Sequence, residues 1–133
     1  MRFDVFDVGM SVGWYTNVLD MEFNEESSAL PYYGQVFYPE YPNTQIGLNK
    51  GEPYSGTATA TIVVNDIVGA RDSILNKGWY VGEICASSAS TPEIVLAFFC
   101  DPNDNNLALR QDDFMPKILL PECGAPQCSN RWY

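Results

Sequence analysis

Histidine is absent from this chain. That removes the commonest imidazole metal ligand and the side chain that most often works as a general base near neutral pH. Basic residues are scarce as well: 7 Lys and Arg stand against 17 Asp and Glu, for a formal charge of −10. Nucleic acid and anionic membrane both require a basic surface, so neither is expected as a partner. A cationic ligand suits the balance, and so does the plain need to stay soluble. No apolar run is long enough to span a bilayer, and Arg2-Phe3-Asp4-Val5-Phe6-Asp7 opens an alternating stretch instead of a basic-then-apolar signal segment. The expected location is the cytoplasm. Cysteines number only 4, and the paired CxxC spacing of a zinc site is missing. Cys85 and Cys100 sit in or beside apolar stretches and read as small buried hydrophobes. Cys123 and Cys128 enclose Gly-Ala-Pro-Gln and have the spacing of a small disulfide loop, but a reducing compartment makes free thiols the expectation.

What is present is a core and a repeat. The 133 residues are 46% hydrophobic, with 7 Phe, 8 Tyr and 3 Trp, which is enough for one folded domain. Gly34 to Lys50 lies over Val95 to Gln111 without a gap, Phe37 on Phe98, Tyr38 on Phe99, Ile46 on Leu107 and Leu48 on Leu109. Upstream, Val5, Asp7 and Phe23 answer to Val63, Asn65 and Val81. A duplicated unit implies two similar lobes, and such lobes are expected to form a ligand site where their sheets meet.

Each copy reads as β-α-β-β-β. A strand over 2–7 leads to a helix over 8–19, where Val8, Val12, Tyr15 and Leu19 share one face and Asp7 is the N-cap. Asp20, where the repeat has Gly78, is placed for left-handed backbone at the helix end. Strands are expected over 22–26, 35–38 and 44–49, with 50–56 as a linker. The second copy has a strand over 57–64 and a helix over 67–77 capped by Asn65 or Asp66, burying Ile67, Ala70 and Ile74. Strands over 80–84, 94–100 and 107–111 complete it, with 86–92 as a loop. The tail, 112–133, carries Phe114, Met115, Ile118, Leu119, Leu120, Trp132 and Tyr133. It is too apolar to float free and is expected to dock on its own lobe or on a partner subunit.

These residues resemble the vicinal oxygen chelate superfamily of glyoxalases, extradiol dioxygenases and bleomycin-resistance proteins, over about residues 2–111. Val5-Phe6-Asp7, Ser11-Val12-Gly13-Trp14-Tyr15 and Val18-Leu19-Asp20-Met21-Glu22-Phe23 look like the family's strand-helix-strand opening. Phe98-Phe99-Cys100-Asp101-Pro102-Asn103-Asp104-Asn105-Asn106-Leu107 is similar to its F-x-DP-x-G-N hairpin, with Asn105 in the glycine position, a mild change because Asn tolerates positive φ. The resemblance implies an α+β fold of two tandem βαβββ modules, about 2–50 and 57–111, forming a curved mixed sheet with a cup-shaped cleft. Metal-dependent members place four ligands on inward-facing strand positions. Carried over, the first falls at or just before Met1 and the others on Gly47, Thr59 and Ala108. Glycine and alanine offer no donor atom and a lone threonine hydroxyl is a poor transition-metal ligand, so no metal and no cofactor are expected. Asp101-x-Asn103-x-Asn105 with Asp112 faintly mimics a calcium loop, but Pro102, Asn106 and the hairpin setting argue against one. Glu25-Glu26 reads as a solvated strand end.

A cup without metal leaves room for an organic ligand. With the strand period of two, Thr59 brings Thr57, Thr61 and Val63 to its face, Gly47 brings Gln45 and Asn49, and Ala108 brings Asn106 and Arg110. Phe37, Tyr38, Phe98 and Phe99 offer flat surfaces, with core packing as the plainer use of each. The expected ligand residues are therefore Phe37, Gln45, Gly47, Asn49, Thr57, Thr59, Thr61, Phe98, Ala108 and Arg110. The resulting expectation is a metal-independent protein that sequesters or senses a small molecule, with a cationic aromatic one suited to the charge. A metal-free enzyme is the alternative; Asp4, Cys100 and Arg110 are its candidates, but no nucleophile–base pair stands out in their spacing. The third reading is a structural or regulatory module with a filled cavity. Relatives of this kind commonly form homodimers, and the tail is placed to clasp one.

Overall fold

A computed structural model describes every residue except 54–58, 116–118, 126–127 and 129–133. The chain divides into two units, Met1–Gly56 with Asp101–Asn105, and Thr57–Cys100 with Asn106–Tyr133. Each holds one β-α-β-β-β module, and the architecture is α+β. The first runs β1 (Arg2–Val5), α1 (Val8–Val18), β2 (Glu22–Phe23), β3 (Tyr33–Phe37) and β4 (Gln45–Lys50). The second runs β5 (Thr59–Val63), α2 (Ile67–Asn76), β6 (Cys85–Ala86), β7 (Val95–Cys100) and β8 (Asn106–Gln111). Sheet orders match, β1-β4-β3-β2 and β5-β8-β7-β6. In each, the strand before the helix pairs parallel with the last strand and the other pairs are antiparallel.

In the first unit Phe3, Val5, Val36, Ile46 and Leu48 are buried on one sheet face, with Val8, Val12, Tyr15 and Leu19 of the helix. This is the helix face anticipated from spacing. The Asp7 side chain caps α1 by accepting from the Met10 amide at 3.0 Å, and Asp20 takes the positive φ of 58° after its end. Gly34 marks the closest approach of β3 to α1: a Cβ there would lie 2.9 Å from Val12 Cγ2 and 3.3 Å from Val8 Cγ1. Gly34→Val is therefore expected to cost about 2–3 kcal/mol by overpacking. Gly47→Ala, whose new Cβ meets nothing closer than 3.7 Å, should stay within about 0.5 kcal/mol. Urea unfolding of the pair checks both, and equal costs would contradict this packing.

In the second unit Ile67 and Ile74 of α2 pack with Ala97, Phe99, Leu107 and Leu109, all buried. Ala70 is only half-buried. Asp66, not Asn65, is the N-cap, accepting from the Gly69 amide at 3.1 Å. Two strands are shorter or displaced. Over 22–26 only Glu22–Phe23 pairs, because the Asn24 side chain accepts from the Ser27 amide at 3.2 Å and starts a turn. The strand expected over 80–84 is not formed; β6 comes later, at Cys85–Ala86. Arg71 takes the carbonyls such a ladder needs, donating to Gly82 O at 2.7 Å and Val81 O at 3.1 Å.

The cysteines depart most from expectation. Cys85 is bonded to Cys123 and Cys100 to Cys128, with Cα atoms 5.0 and 5.7 Å apart, and none is free. The small Cys123–Cys128 loop does not form. Four cysteines permit three connectivities and spacing does not choose among them. Around Cys123, the Ala86 amide donates to Pro121 O and the Cys123 amide to Ala86 O, both at 2.8 Å. Of the apolar tail residues, Ile118, Trp132 and Tyr133 lie outside the described residues.

Candidate functional site

Strand pairing fixes which side chains share the sheet face turned away from each helix. In the first unit three rows cross it: Glu22, Phe37 and Gln45; Gln35, Gly47 and Arg2; Tyr33, Asn49 and Asp4. Phe37, Gln45, Gly47 and Asn49 thus lie together, as their spacing implied. Glu22, Tyr33, Gln35 and Arg2 complete the face and were missed; continuing the period of two along β3 from Phe37 finds Gln35 and Tyr33. Gly47 lies in the middle row of this surface, where a Cβ would meet Arg2 Cγ and Met1 O at 3.7 Å. The polar edge is largely committed within the protein: Asn24 Nδ2 donates to Gln45 Oε1 at 3.2 Å, Gln45 Nε2 to Pro42 O at 3.2 Å, and Ser27 Oγ to Gln35 Oε1 at 2.9 Å.

In the second unit the corresponding rows are Thr59, Asn106 and Cys100; Thr61, Ala108 and Phe98; and Val63, Arg110, Leu96 and Cys85. Thr59 is half-buried and Thr61 exposed, while Ala108 and Asn106 are buried; Thr57 lies outside the described residues. Arg110 pairs with Asp112 through Nε and Oδ1, which neutralises the one charge expected here. Asn106 Oδ1 faces the Cys128 amide at 3.4 Å, so the tail already occupies part of this face. Tyr38 and Phe99 do not join their neighbours Phe37 and Phe98. Adjacent strand residues point to opposite faces: Phe99 is buried with the helix side, and the Tyr38 hydroxyl donates to Leu19 O at 2.6 Å.

The turn between β7 and β8 belongs with the first unit. There the Asp101 carboxylate is wholly buried. Oδ1 accepts the Asn103 and Asn105 amides at 2.8 and 2.9 Å, and Oδ2 accepts the Tyr15 hydroxyl at 2.7 Å and Asn105 Nδ2 at 2.9 Å. Those bonds use the carboxylate internally, which answers the faint calcium pattern. The positive φ falls on Asp104, at 63°, and not on Asn105, so the turn position that favours glycine is Asp104, one residue before the expected one. Burial, then the negative charge of Asp101 and its hydrogen bond, push the Tyr15 hydroxyl well above its ordinary pKa. Burial, with Asp20 and Glu40 nearby, pushes Tyr38 up as well.

The positions onto which the family resemblance carries the metal ligands hold no suitable donors. Gly47 and Ala108 have none, and Thr59 adds only a hydroxyl. Among the described residues no group of three His, Cys, Asp or Glu side chains converges.

No protein-family model and no curated protein matches the sequence. Solved structures do. A glyoxalase-related enzyme from Clostridium phytofermentans is similar with a TM-score of 0.67 at 16% identity, over 84% of this chain and 91% of that one. A glyoxalase/bleomycin resistance protein/dioxygenase superfamily member from Sphaerobacter thermophilus DSM 20745 gives 0.67 at 17%, over 84% and 93%. An integron cassette protein from the mobile metagenome of Halifax Harbour sewage outfall gives 0.68 at 18%, over 84% and 94%. The tandem modules, their strand order and these neighbours agree: the chain has the fold of the glyoxalase/bleomycin resistance protein/dioxygenase superfamily.

Proposed function

We propose that this protein binds a small organic cation, without metal, on the open sheet face of its first module. The observation that carries the reading is the makeup of that face: the rows flanking Gly47 hold the aromatic rings of Phe37 and Tyr33 and the carboxylates of Glu22 and Asp4, with Arg2 and Gln35 beside the glycine as the one opposing charge and its polar neighbour. Aromatic faces and carboxylates together favour a cation, which the ring quadrupole and the charge both attract. The charge is also unevenly placed. Met1–Gly56 with Asp101–Asn105 holds two basic residues, Arg2 and Lys50, against ten acids, so most of the chain's negative excess lies in this unit. Such a field concentrates cations near the surface and weakens with salt.

The two disulfides favour an oxidising compartment over the cytoplasm, because such bonds persist where thiols are not kept reduced. No helix among the described residues is long and apolar enough to cross a membrane.

The test is native mass spectrometry with calorimetric titration against matched cationic, neutral and anionic aromatic compounds. The expected result is saturable one-to-one binding of cations, returned chemically unchanged, with affinity falling about tenfold or more in Gly47→Trp, a change that puts a bulky ring in the middle row of this face. Turnover of a bound compound would replace this reading with a metal-free enzyme. Binding that ignores charge, or survives Gly47→Trp, would place the ligand elsewhere.

A further inference from the structure

We propose that the ligand of the first module's open face is a zwitterion, its cation held at Glu22 and Phe37 and its carboxylate, about 10 Å away, held at Arg2. This rests on the cation reading above and adds a second charge to it. The face is polar from edge to edge. In the order β1-β4-β3-β2, Arg2 lies on one edge strand and Glu22 on the other. Glu22 is exposed in the row of Phe37 and Gln45, which holds no basic side chain. Asp20 and Glu40 lie near Tyr38 at the same end, so acids gather there. Arg2 is exposed in the next row, with Gly47 and Gln35. It is the one basic side chain of the face, because Lys50, the unit's other base, follows Asn49 on β4 and belongs to the opposite side.

Neither charge is spent within the protein. Among the described residues Arg2 and Glu22 have no ion-pair partner; the pairs Arg71–Glu83 and Arg110–Asp112 both lie in the second unit. Asp4 stands next to Arg2 on the same side of β1, yet its carboxylate leans away, with Cγ 3.4 Å from where a Cβ on Gly51 would sit. The Arg2 stem lies against β4 instead, its Cγ 3.7 Å from where a Cβ on Gly47 would sit. A guanidinium offers a carboxylate two parallel N–H donors, a stronger hold than a neighbouring amide gives. The nearby amides are also partly engaged: Gln45 Nε2 donates to Pro42 O, and Gln35 Oε1 accepts from Ser27 Oγ.

The sheet sets the span of the ligand. Glu22 and Arg2 stand three strand spacings and one row apart, which puts their Cα atoms about 16 Å from each other in a regular sheet. The two side chains can close about 6 Å of that, which leaves about 10 Å between the charges they hold. An α-amino acid, with its ammonium and carboxylate on one carbon, is too short to touch both. An aryl ring carrying a carboxylate at one end and a short aminoalkyl chain at the other fits. Between the two charges the surface presents the Phe37 ring and Gly47, which has no side chain. A flat spacer meets a ring and bare backbone there, and its ammonium lies against the ring quadrupole beside Glu22.

The experiment is calorimetric titration of the native protein at low salt with four probes. Para-(aminobutyl)benzoate carries both charges at the full span and its methyl ester only the cation. Para-butylbenzoate carries only the anion, and para-(aminomethyl)benzoate both charges too close together. The long zwitterion is expected to bind about fivefold tighter than its ester and than the short zwitterion. Arg2→Gln should remove that advantage and tighten the ester about twofold, because a like charge has gone, while Arg2→Lys keeps part of the advantage. Glu22→Gln should weaken the long zwitterion and its ester alike, by about threefold. Arg2 and Glu22 are both exposed, and matching urea midpoints check that the variants fold. An ester or a short zwitterion that binds as tightly as the long one overturns the inference and leaves the cation reading standing. So does an advantage that survives Arg2→Gln. Absence of binding by both long amines, or tightest binding by para-butylbenzoate, overturns the cation reading and the zwitterion with it.

Discussion

Asp101→Ala is expected to lower the free energy of unfolding by about 3–5 kcal/mol, among the largest effects of any single substitution in this chain. The carboxylate is fully buried and is the acceptor for two backbone amides, one side-chain amide and one hydroxyl. Removing it strands several buried donors at once, and each costs about 1–3 kcal/mol when it finds no partner. Asp101→Asn keeps an acceptor for the two amides and should cost less. It places an NH2 group against Asn105 Nδ2, however, so it is not neutral. Tyr15→Phe removes one of the four donors and leaves the others. If the hydroxyl and carboxylate act together, the Asp101→Ala, Tyr15→Phe double variant will be less destabilised than the sum of the singles, by at least about 1 kcal/mol. Urea unfolding of the four proteins checks this. Strict additivity would mean that the Tyr15 hydroxyl contributes nothing through Asp101. The cost should fall on the first unit, because the turn also holds the end of β1: the Phe6 amide donates to Asn103 Oδ1 at 3.0 Å and Asn105 Nδ2 to Asp4 O at 3.3 Å.

What could be read from the residues, and what could not, follows the range of the forces involved. Helix faces and caps are local, so Val8, Val12, Tyr15 and Leu19, the cap at Asp7, the second cap to within Asn65 or Asp66, and the left-handed Asp20 and Gly78 emerged from spacing. Module order emerged because a duplicated pattern is visible without any contact information. Events that depend on distant partners did not emerge. Arg71 displacing a strand at 80–84 depends on a helix side chain reaching carbonyls ten and eleven residues on. The disulfides bridge 38 and 28 residues and leave no local mark. Their pairing also changes how the second sheet is understood, since Asn106 and Cys100 carry the tail as well as lying in the row of Thr59. On the first sheet Tyr33 joins the face only because β3 begins at Tyr33, two residues before the expected strand, a start set by pairing with Asn49 on β4 and not by any local signal.

Stability is expected to fall steeply above pH 10, and the two buried tyrosines set the slope. Tyr15 is wholly buried against Asp101, and Tyr38 is held to Leu19 O with Asp20 and Glu40 nearby. In both, desolvation is the largest cause of a raised pKa, with neighbouring negative charge adding to it. The unfolded chain releases these protons near pH 10, while the folded protein keeps them. Above that pH the native state therefore binds more protons than the unfolded state, and stability declines as pH rises. The contribution is fully present below the unfolded value and is lost progressively toward the folded one. Each tyrosine removes up to about 1.4 kcal/mol per pH unit once its unfolded form is fully ionised, and because the unfolded form is only half ionised at pH 10, the two together remove about 2 kcal/mol between pH 10 and pH 11. Tyr15→Phe and Tyr38→Phe should each reduce that slope by about half, although Tyr15→Phe begins from a lower stability at neutral pH. Urea unfolding across this range under non-reducing conditions, with tyrosinate absorbance recorded on the folded protein, gives both quantities. A slope unchanged in a variant, or a folded-state tyrosinate signal that drops by one residue's worth in that variant relative to the native protein, would show that the hydroxyl concerned ionises in the native state and lacks the protection assigned to it here.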